Sequence, residues 1–252
     1  MNLLEGFTHY LPLILFTFLL AGMVKGVVGL GLPTISVGLL GLVMPPMQAA
    51  ALLVVPSMVT NIWQLADGRS PLPMLRRLWP MLAGIVFGSL AMSWLMRDTA
   101  LPHATQMLGI ALMLYAVLGL ASVRFHVSPG NEPWLAPLIG GLTGAITAVT
   151  GIFVIPAVPY LHAIGLEKDE LVQALGLSFS ISTLALALSL GHSGELLQPA
   201  LLGVSLLALL PALLGMAGGQ WLRRRISAER FKCWFFIALL LLGADLALRA
   251  WF

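Results

Sequence analysis

Lys25 is the only charged residue between Glu5 and Asp67, in a stretch apolar enough to lie within a lipid bilayer. An ammonium group at the centre of a membrane helix costs roughly 2.5–3.5 kcal/mol on insertion scales, so its retention calls for a compensating role. No carboxylate is close to Lys25 in sequence, and a mobile anion is one partner that would neutralise it. The competing reading is structural: Lys25 snorkels to an interface or caps a backbone carbonyl. Its neighbours bear on the choice, because Gly22, Gly26, Gly29 and Gly31 lead into Pro33. Glycine weakens a helix and proline removes a backbone donor, so the spacing predicts a break between Gly29 and Pro33. In hydrocarbon such a break is tolerated only where protein or a watery cavity satisfies the backbone. A helix restarting inside the membrane also presents free N–H groups and a partial positive charge, which suit an anion.

The pattern recurs. Residues 140–156 resemble 22–38, with Gly140 and Gly144 answering Gly22 and Gly26 and Thr143 standing where Lys25 stands. A second break is therefore expected around Thr147, Thr150, Gly151 and Pro156. The register resumes with Ser57 opposite Ser180 and Thr60 opposite Thr183, at an offset of 123 residues instead of 118. Weak repeats with interruptions at matching positions point to a transporter's binding site. Gly-x-x-x-Gly spacing alone has a second explanation, close helix packing through small residues.

Ser57, Thr60, Asn61 and Gln64 fall at three- and four-residue steps, on one face of a helix. Gln173, Ser180 and Thr183 nearly repeat that face in the second half. Hydroxyls in hydrocarbon commonly satisfy neighbouring backbone, whereas the larger Asn61 and Gln173 need more partners and are expected to line a pathway. The candidate substrate-binding residues are thus Lys25, Gly26, Gly29, Gly31, Ser57, Asn61, Thr143, Gly144, Thr147, Thr150, Gly151, Gln173 and Ser180. Asp245 and Arg249, four apart, read as an internal pair near an interface. Motifs for hydrolysis, nucleotide binding or metal ligation are lacking, and the single cysteine, Cys233, has no ligand company. No enzyme activity and no cofactor are expected.

These residues need a membrane scaffold to position them. Of 252 residues 59% are hydrophobic and only 9% charged, far below the roughly one-quarter of soluble domains. Residues 9–44 form one apolar block, too long for a single crossing of about 20 residues. Further apolar segments follow at 47–66, 76–96, 101–123, 134–162, 170–190, 197–222 and 230–251, and no soluble domain or removable leader is expected. A formal net charge of +3 would suggest nucleic acid in a soluble chain. Here 8 of the 13 Lys and Arg residues fall in loops 67–77 and 223–232, which marks both loops as cytoplasmic and excludes that reading. Loops 97–103 and 191–196, the latter with His192 and Glu195, read as external. The seven tryptophans sit mostly near segment ends, as in an aromatic belt. Two cytoplasmic loops require an even number of crossings between them, so one of the five intervening segments is broken or re-entrant. Each half then crosses an odd number of times, which makes the repeats inverted. The expected fold is an all-α polytopic membrane protein with a single transmembrane domain over 1–252. Repeat one covers about 9–123 and repeat two about 134–251, each a broken or re-entrant helix followed by three transmembrane helices.

At its two glycine-rich breaks the chain resembles the TauE/SafE family of membrane transporters, the sulfite exporters. The resemblance is carried by Lys-Gly-Val-Val-Gly-Leu-Gly-Leu-Pro at 25–33 and Met-Pro-Pro-Met-Gln-Ala-Ala-Ala at 44–51. In the second half it is carried by Gly-Gly-Leu-Thr-Gly at 140–144 and by 165–178. It implies a multi-pass protein of the bacterial inner membrane that carries sulfite, sulfonates or other organosulfur anions. Residue chemistry alone implies only a small anionic substrate within a lipid bilayer, moved by alternating access or through an anion channel at the same site. A homo-oligomer is compatible with either.

Overall fold

Two glycines end the first crossing. The computed structural model describes residues 3–66, 71–96, 103–121, 125–192 and 199–249, and its regular structure there is ten α-helices with no strand. Helix α1 (Leu3–Val28) stops where Gly29 and Gly31 take left-handed backbone, with φ of 79° and 112°. A Cβ is crowded in that region, so glycine is the residue that turns the chain there. Helix α2 (Leu32–Leu40) begins at once with Pro33 in its first turn, where the missing N–H had no intrahelical partner to lose. It lies against α1, with Val24 packed over Gly31. Three helices follow: α3 (Pro46–Ala66), α4 (Pro71–Leu95) and α5 (Ala104–Leu120).

The second half repeats this order. Helix α6 (Glu132–Thr150) is closed by Gly151 at φ 73°, and residues 152–156 lead to the short α7 (Ala157–Ala163). Then come α8 (Lys168–His192), α9 (Pro199–Arg223) and α10 (Ala228–Leu248). Seven helices (α1, α3, α4, α6, α8, α9 and α10) are long and apolar enough to cross a membrane, and α5, at 17 residues, is a shorter apolar helix. Trp63, Trp79, Trp94, Trp134, Trp221 and Trp234 all face outward, as lipid-facing anchors do.

Close packing is concentrated at two crossings. A Cβ on Gly26 of α1 would lie 2.2 Å from the Met216 carbonyl oxygen of α9, and one on Gly144 of α6 would lie 2.1 Å from the Ile85 carbonyl oxygen of α4. Only glycine permits these approaches, the small-residue packing that holds helices together where lipid offers no hydrophobic drive. In both pairs the register rises together (Gly22 beside Ala212, Gly26 beside Met216; Gly140 beside Met81, Gly144 beside Ile85), so each pair is parallel. Helices α3 and α8 pack antiparallel at the centre, with Gly176 against Leu65 and Thr183 against Ser57. Helices α5 and α10 are antiparallel too: Gly109 meets Gly243 and Ala247, while Gly119 meets Phe236.

Proline inside a membrane helix leaves a carbonyl without its donor. Pro56 of α3 has no N–H for Leu52, and Ser205 of α9 donates to that oxygen instead at 2.8 Å. The basic segments are more helical than their composition suggests. Arg76 and Arg77 lie in α4, and Arg230 and Lys232 lie in the first turns of α10, so only the short links on either side are loop. Arginine and lysine are good helix formers and extend a span past the hydrocarbon edge without strain. Arg69, residues 97–102 and Glu195 lie outside the described residues.

Candidate functional site

Helix α1 delivers Lys25 one turn before its end, and Gly29 N still donates to Lys25 O at 2.7 Å. Its side chain is 4% exposed and turns into the α3–α8 interface. There the ammonium donates to Thr60 Oγ1 at 3.0 Å and to Asn61 Oδ1. Because an ammonium can only donate, this contact fixes the orientation of the Asn61 amide. Asn61 Nδ2 then donates to Ser57 Oγ at 3.1 Å and to Thr183 Oγ1 at 3.3 Å. The Ser57 and Thr183 hydroxyls are 3.1 Å apart, so a continuous polar chain runs from α1 through α3 to α8. Thr60 and Thr183 donate in turn to the carbonyls of Pro56 and Phe179, which leaves their oxygens free to accept.

The electrostatics are one-sided. Lys25 has only neutral partners among the described residues, while the two ion pairs there, Arg77–Glu132 and Arg249–Asp245, involve other cations. An ammonium has three donors, and Thr60 and Asn61 engage two of them. An ammonium buried among neutral oxygens has no counter-charge beside it, and the low dielectric strengthens its attraction for an incoming anion. Nearby, Gln64 Nε2 bridges the Gly29 carbonyl of the first break, 3.3 Å away, and the Val172 carbonyl of α8, 3.2 Å away. Gln64 Oε1 and the hydroxyls of Ser178 and Ser182 are buried without a protein partner among the described residues. Such groups retain hydrogen-bonding capacity for a ligand or water.

The structure thus brings together three of the residues singled out by sequence, Lys25, Ser57 and Asn61, and adds Thr60, Gln64 and Thr183. Of the others, Gly29 reaches this cluster through its carbonyl, which accepts from Gln64 Nε2. Gly29 and Gly31 form the first break, whereas Gly26 and Gly144 are occupied at helix crossings. Thr143, Thr147 and Thr150 donate to the carbonyls four residues before them, at 2.7–2.8 Å, and Gly151 caps their helix. Ser180 likewise bonds Gly176 O, and Gln173 is buried near the start of α8. Asp245 and Arg249 do pair at 2.8 Å, but both side chains are about half exposed and so are not internal. Thr60 and Thr183 were visible in the sequence as matching positions of the repeat. Nothing in the sequence signalled a cavity of about 910 Å³ beside the first break, walled by Val28 and Leu30 and reaching His126, His162, Lys232 and Cys233. No group of three or more metal-ligating side chains occurs among the described residues.

Seven apolar spans, a broken first helix and a cation buried among neutral oxygens define a multi-pass membrane protein with a polar centre. The family model for the sulfite exporter TauE/SafE matches residues 14–246, and the chain belongs to that family of membrane transporters. No match was found among curated proteins or solved structures.

Proposed function

We propose that the chain is a secondary carrier of small anions, with sulfite, sulfonates or other organosulfur anions as its substrate class, in a bacterial inner membrane. The observation that carries this reading is Lys25: a buried ammonium with neutral partners and an uncommitted donor, one turn from a break in its helix. An anion entering the α3–α8 interface replaces neutral oxygens with an opposite charge, and that gain is what opens the polar chain. The hydroxyls of Ser57, Thr60 and Thr183 and the amides of Asn61 and Gln64 orient the bound anion.

Alternating access needs two halves that move against each other about the site. Inverted repeats are supported by the antiparallel packing of corresponding helices, α3 with α8 and α5 with α10. A two-fold axis in the membrane plane relates such pairs, whereas repeats about the membrane normal would make them parallel. The exchange of partners, α1 with α9 and α4 with α6, fits the same symmetry.

The test is flux of sulfite and a small sulfonate into proteoliposomes, comparing wild type with Lys25→Ala. Saturable flux lowered about 10- to 100-fold by the substitution is expected, the scale of one hydrogen bond to a charged group. Saturable flux left intact would reduce Lys25 to a structural residue. Absence of flux for both anions would sink the substrate class, and single-channel currents would replace the carrier with a channel.

A further inference from the structure

The cavity of about 910 Å³ beside the first break is chemically unlike the polar chain around Lys25. It lies between the C-terminal turns of α5, the segment at Phe125 and His126, helix α7 and the start of α10. Its inner wall is Val28 and Leu30, the residues on either side of Gly29. Most of its lining is apolar and much of it aromatic, with Tyr115, Phe125 and Phe236 contributing rings. The polar groups are gathered on His126, His162, Glu229, Lys232 and Cys233. Glu229 and Lys232 cancel formally, but Arg223, Arg224, Arg225 and Arg230 flank them in sequence, so the field at this end of the protein is positive.

Size and lining select a ligand. Pockets for drug-sized molecules span about 300–1,000 Å³, and a tetra-atomic oxyanion fills a small part of such a space. Apolar and aromatic walls gain nothing from a fully hydrated inorganic ion, but they do remove an organic body from water. A cationic edge beside an aromatic wall therefore matches an organic anion with a hydrocarbon or aromatic body. We propose that this cavity is a binding site for such amphipathic organic anions, a vestibule one helical turn from Lys25. The anionic head is held at Lys232 with the histidines beside it, and the body lies against the wall formed by Tyr115, Phe125 and Phe236. The role as vestibule rests on the transport reading above; the binding site itself does not.

Cys233 makes the proposal measurable in the unaltered protein, because it is the chain's single cysteine, is exposed, and lines the cavity. The experiment follows its labelling in purified protein, using the 2-sulfonatoethyl and 2-(trimethylammonium)ethyl methanethiosulfonates. Each rate is normalised to that of a small free thiol. The anionic reagent is expected to react about tenfold faster than the cationic one at low ionic strength, the lower end of electrostatic steering. Benzenesulfonate should slow labelling by neutral N-ethylmaleimide in a saturable way, and methanesulfonate at equal concentration should do so far less. Lys232→Gln should remove both the charge preference and the protection, while Arg249→Gln, at the other end of α10, should leave both in place.

Equal reagent rates, absent or non-saturable protection, equal protection by the two sulfonates, or protection unchanged in Lys232→Gln would each overturn the site. Lys232 is exposed, so loss of fold does not confuse that variant. Failures of the two readings are separable. Protection without flux in wild type would sink the proposed substrate class and leave the binding site, and flux without protection would do the reverse. Lys25→Ala should lower flux about 10- to 100-fold while leaving Cys233 protected.

Discussion

At the first break Lys25 and Gln64 hold the chain through bonds that cross between helices, to α3 side chains and to the α8 backbone. At the second, Thr147 and Thr150 hold it through bonds to their own turn: Thr147 Oγ1 reaches Ile152 O at 3.3 Å, and Ile152 N donates to Thr150 Oγ1 at 3.2 Å. The first break contains two left-handed glycines and a charge, the second one left-handed glycine and no charge. Similar sequence has therefore produced different physics. Bonds between helices are exchangeable, because a ligand can replace either partner. Bonds within a turn are rebuilt whenever the turn forms and give a ligand little to compete for. If the proposed function holds, the first break is the one a ligand can alter and the second is a fixed support.

What the halves share should be damaged equally. Gly26→Ala would drive a Cβ to 2.2 Å from a carbonyl oxygen in α9, and Gly144→Ala to 2.1 Å from one in α4. Backbone cannot rotate aside as a side chain can, so the helices must separate. Each substitution is expected to destabilise by about 3 kcal/mol or more, the upper part of the overpacking range. Thermal unfolding of the purified variants should show similar drops. A large drop in one and none in the other would break the equivalence of the two crossings.

What the halves do not share should respond to charge. Asn61→Asp gives Lys25 an internal carboxylate at the position of its present neutral acceptor. The protein should remain folded, but a substrate anion must now compete with a fixed one. A rise of about 10- to 100-fold in half-saturating substrate is expected, the scale of a hydrogen bond to a charged group. Thr150→Val, which removes a local bond in the second break, should change that constant less than twofold. Comparable effects would mean that both breaks touch the substrate.

Backbone strain separates the breaks more gently. Alanine at Gly29 must adopt φ 79° but meets nothing nearer than Gln64 Nε2 at 3.7 Å. Left-handed backbone alone costs roughly 1–2 kcal/mol for a residue with a Cβ. Alanine at Gly151 carries the same strain and also places its Cβ 2.6 Å from that of Ala50 in the neighbouring α3. Gly151→Ala should therefore lower the unfolding temperature more than Gly29→Ala, whereas flux should fall more in Gly29→Ala. The reverse order for flux would assign the moving part to the second break.

Sequence reasoning reached what depends on neighbours along the chain. Spacing of Gly29, Gly31 and Pro33 located the break, and three- and four-residue steps placed Ser57, Thr60 and Asn61 on one face. It did not reach contacts made across the fold. Thr183 meets Asn61 from 122 residues away and Gln64 reaches Val172 across 108, and no periodicity encodes either pairing. Gly26 shows a different limit. A glycine that lets a helix break and one that lets two helices touch look identical in sequence, and only the Met216 carbonyl distinguishes them. The cavity was hidden because its walls come from five separate segments, each of which reads as ordinary apolar helix or loop.

The smallest expected difference concerns how the half-helices are tied at their far ends. Arg77 of α4 donates to Glu132 at 2.7 and 3.1 Å and also to Ile164 O, just past α7, at 2.9 Å. Arg249 makes the analogous set at the other end of the protein, pairing with Asp245 at 2.8 Å and donating to Leu42 O, just past α2, at 2.9 Å. Each guanidinium thus satisfies a carbonyl left over where a half-helix ends, and each is braced by one carboxylate. The braces differ in quality: Glu132 is engaged by two guanidinium nitrogens and is 17% exposed, against one bond and 53% for Asp245. Exposed pairs contribute about 0–1 kcal/mol, and two-point pairing lies toward the upper end. Arg77→Gln should therefore lower the unfolding midpoint by a few degrees, and Arg249→Gln by less than the scatter between preparations. The looser tie belongs to α2, the half-helix next to Lys25, which is where mobility is needed if the first break is the one that responds. Equal shifts, or a larger one for Arg249→Gln, would show that α2 is anchored as firmly as α7 and would remove that support.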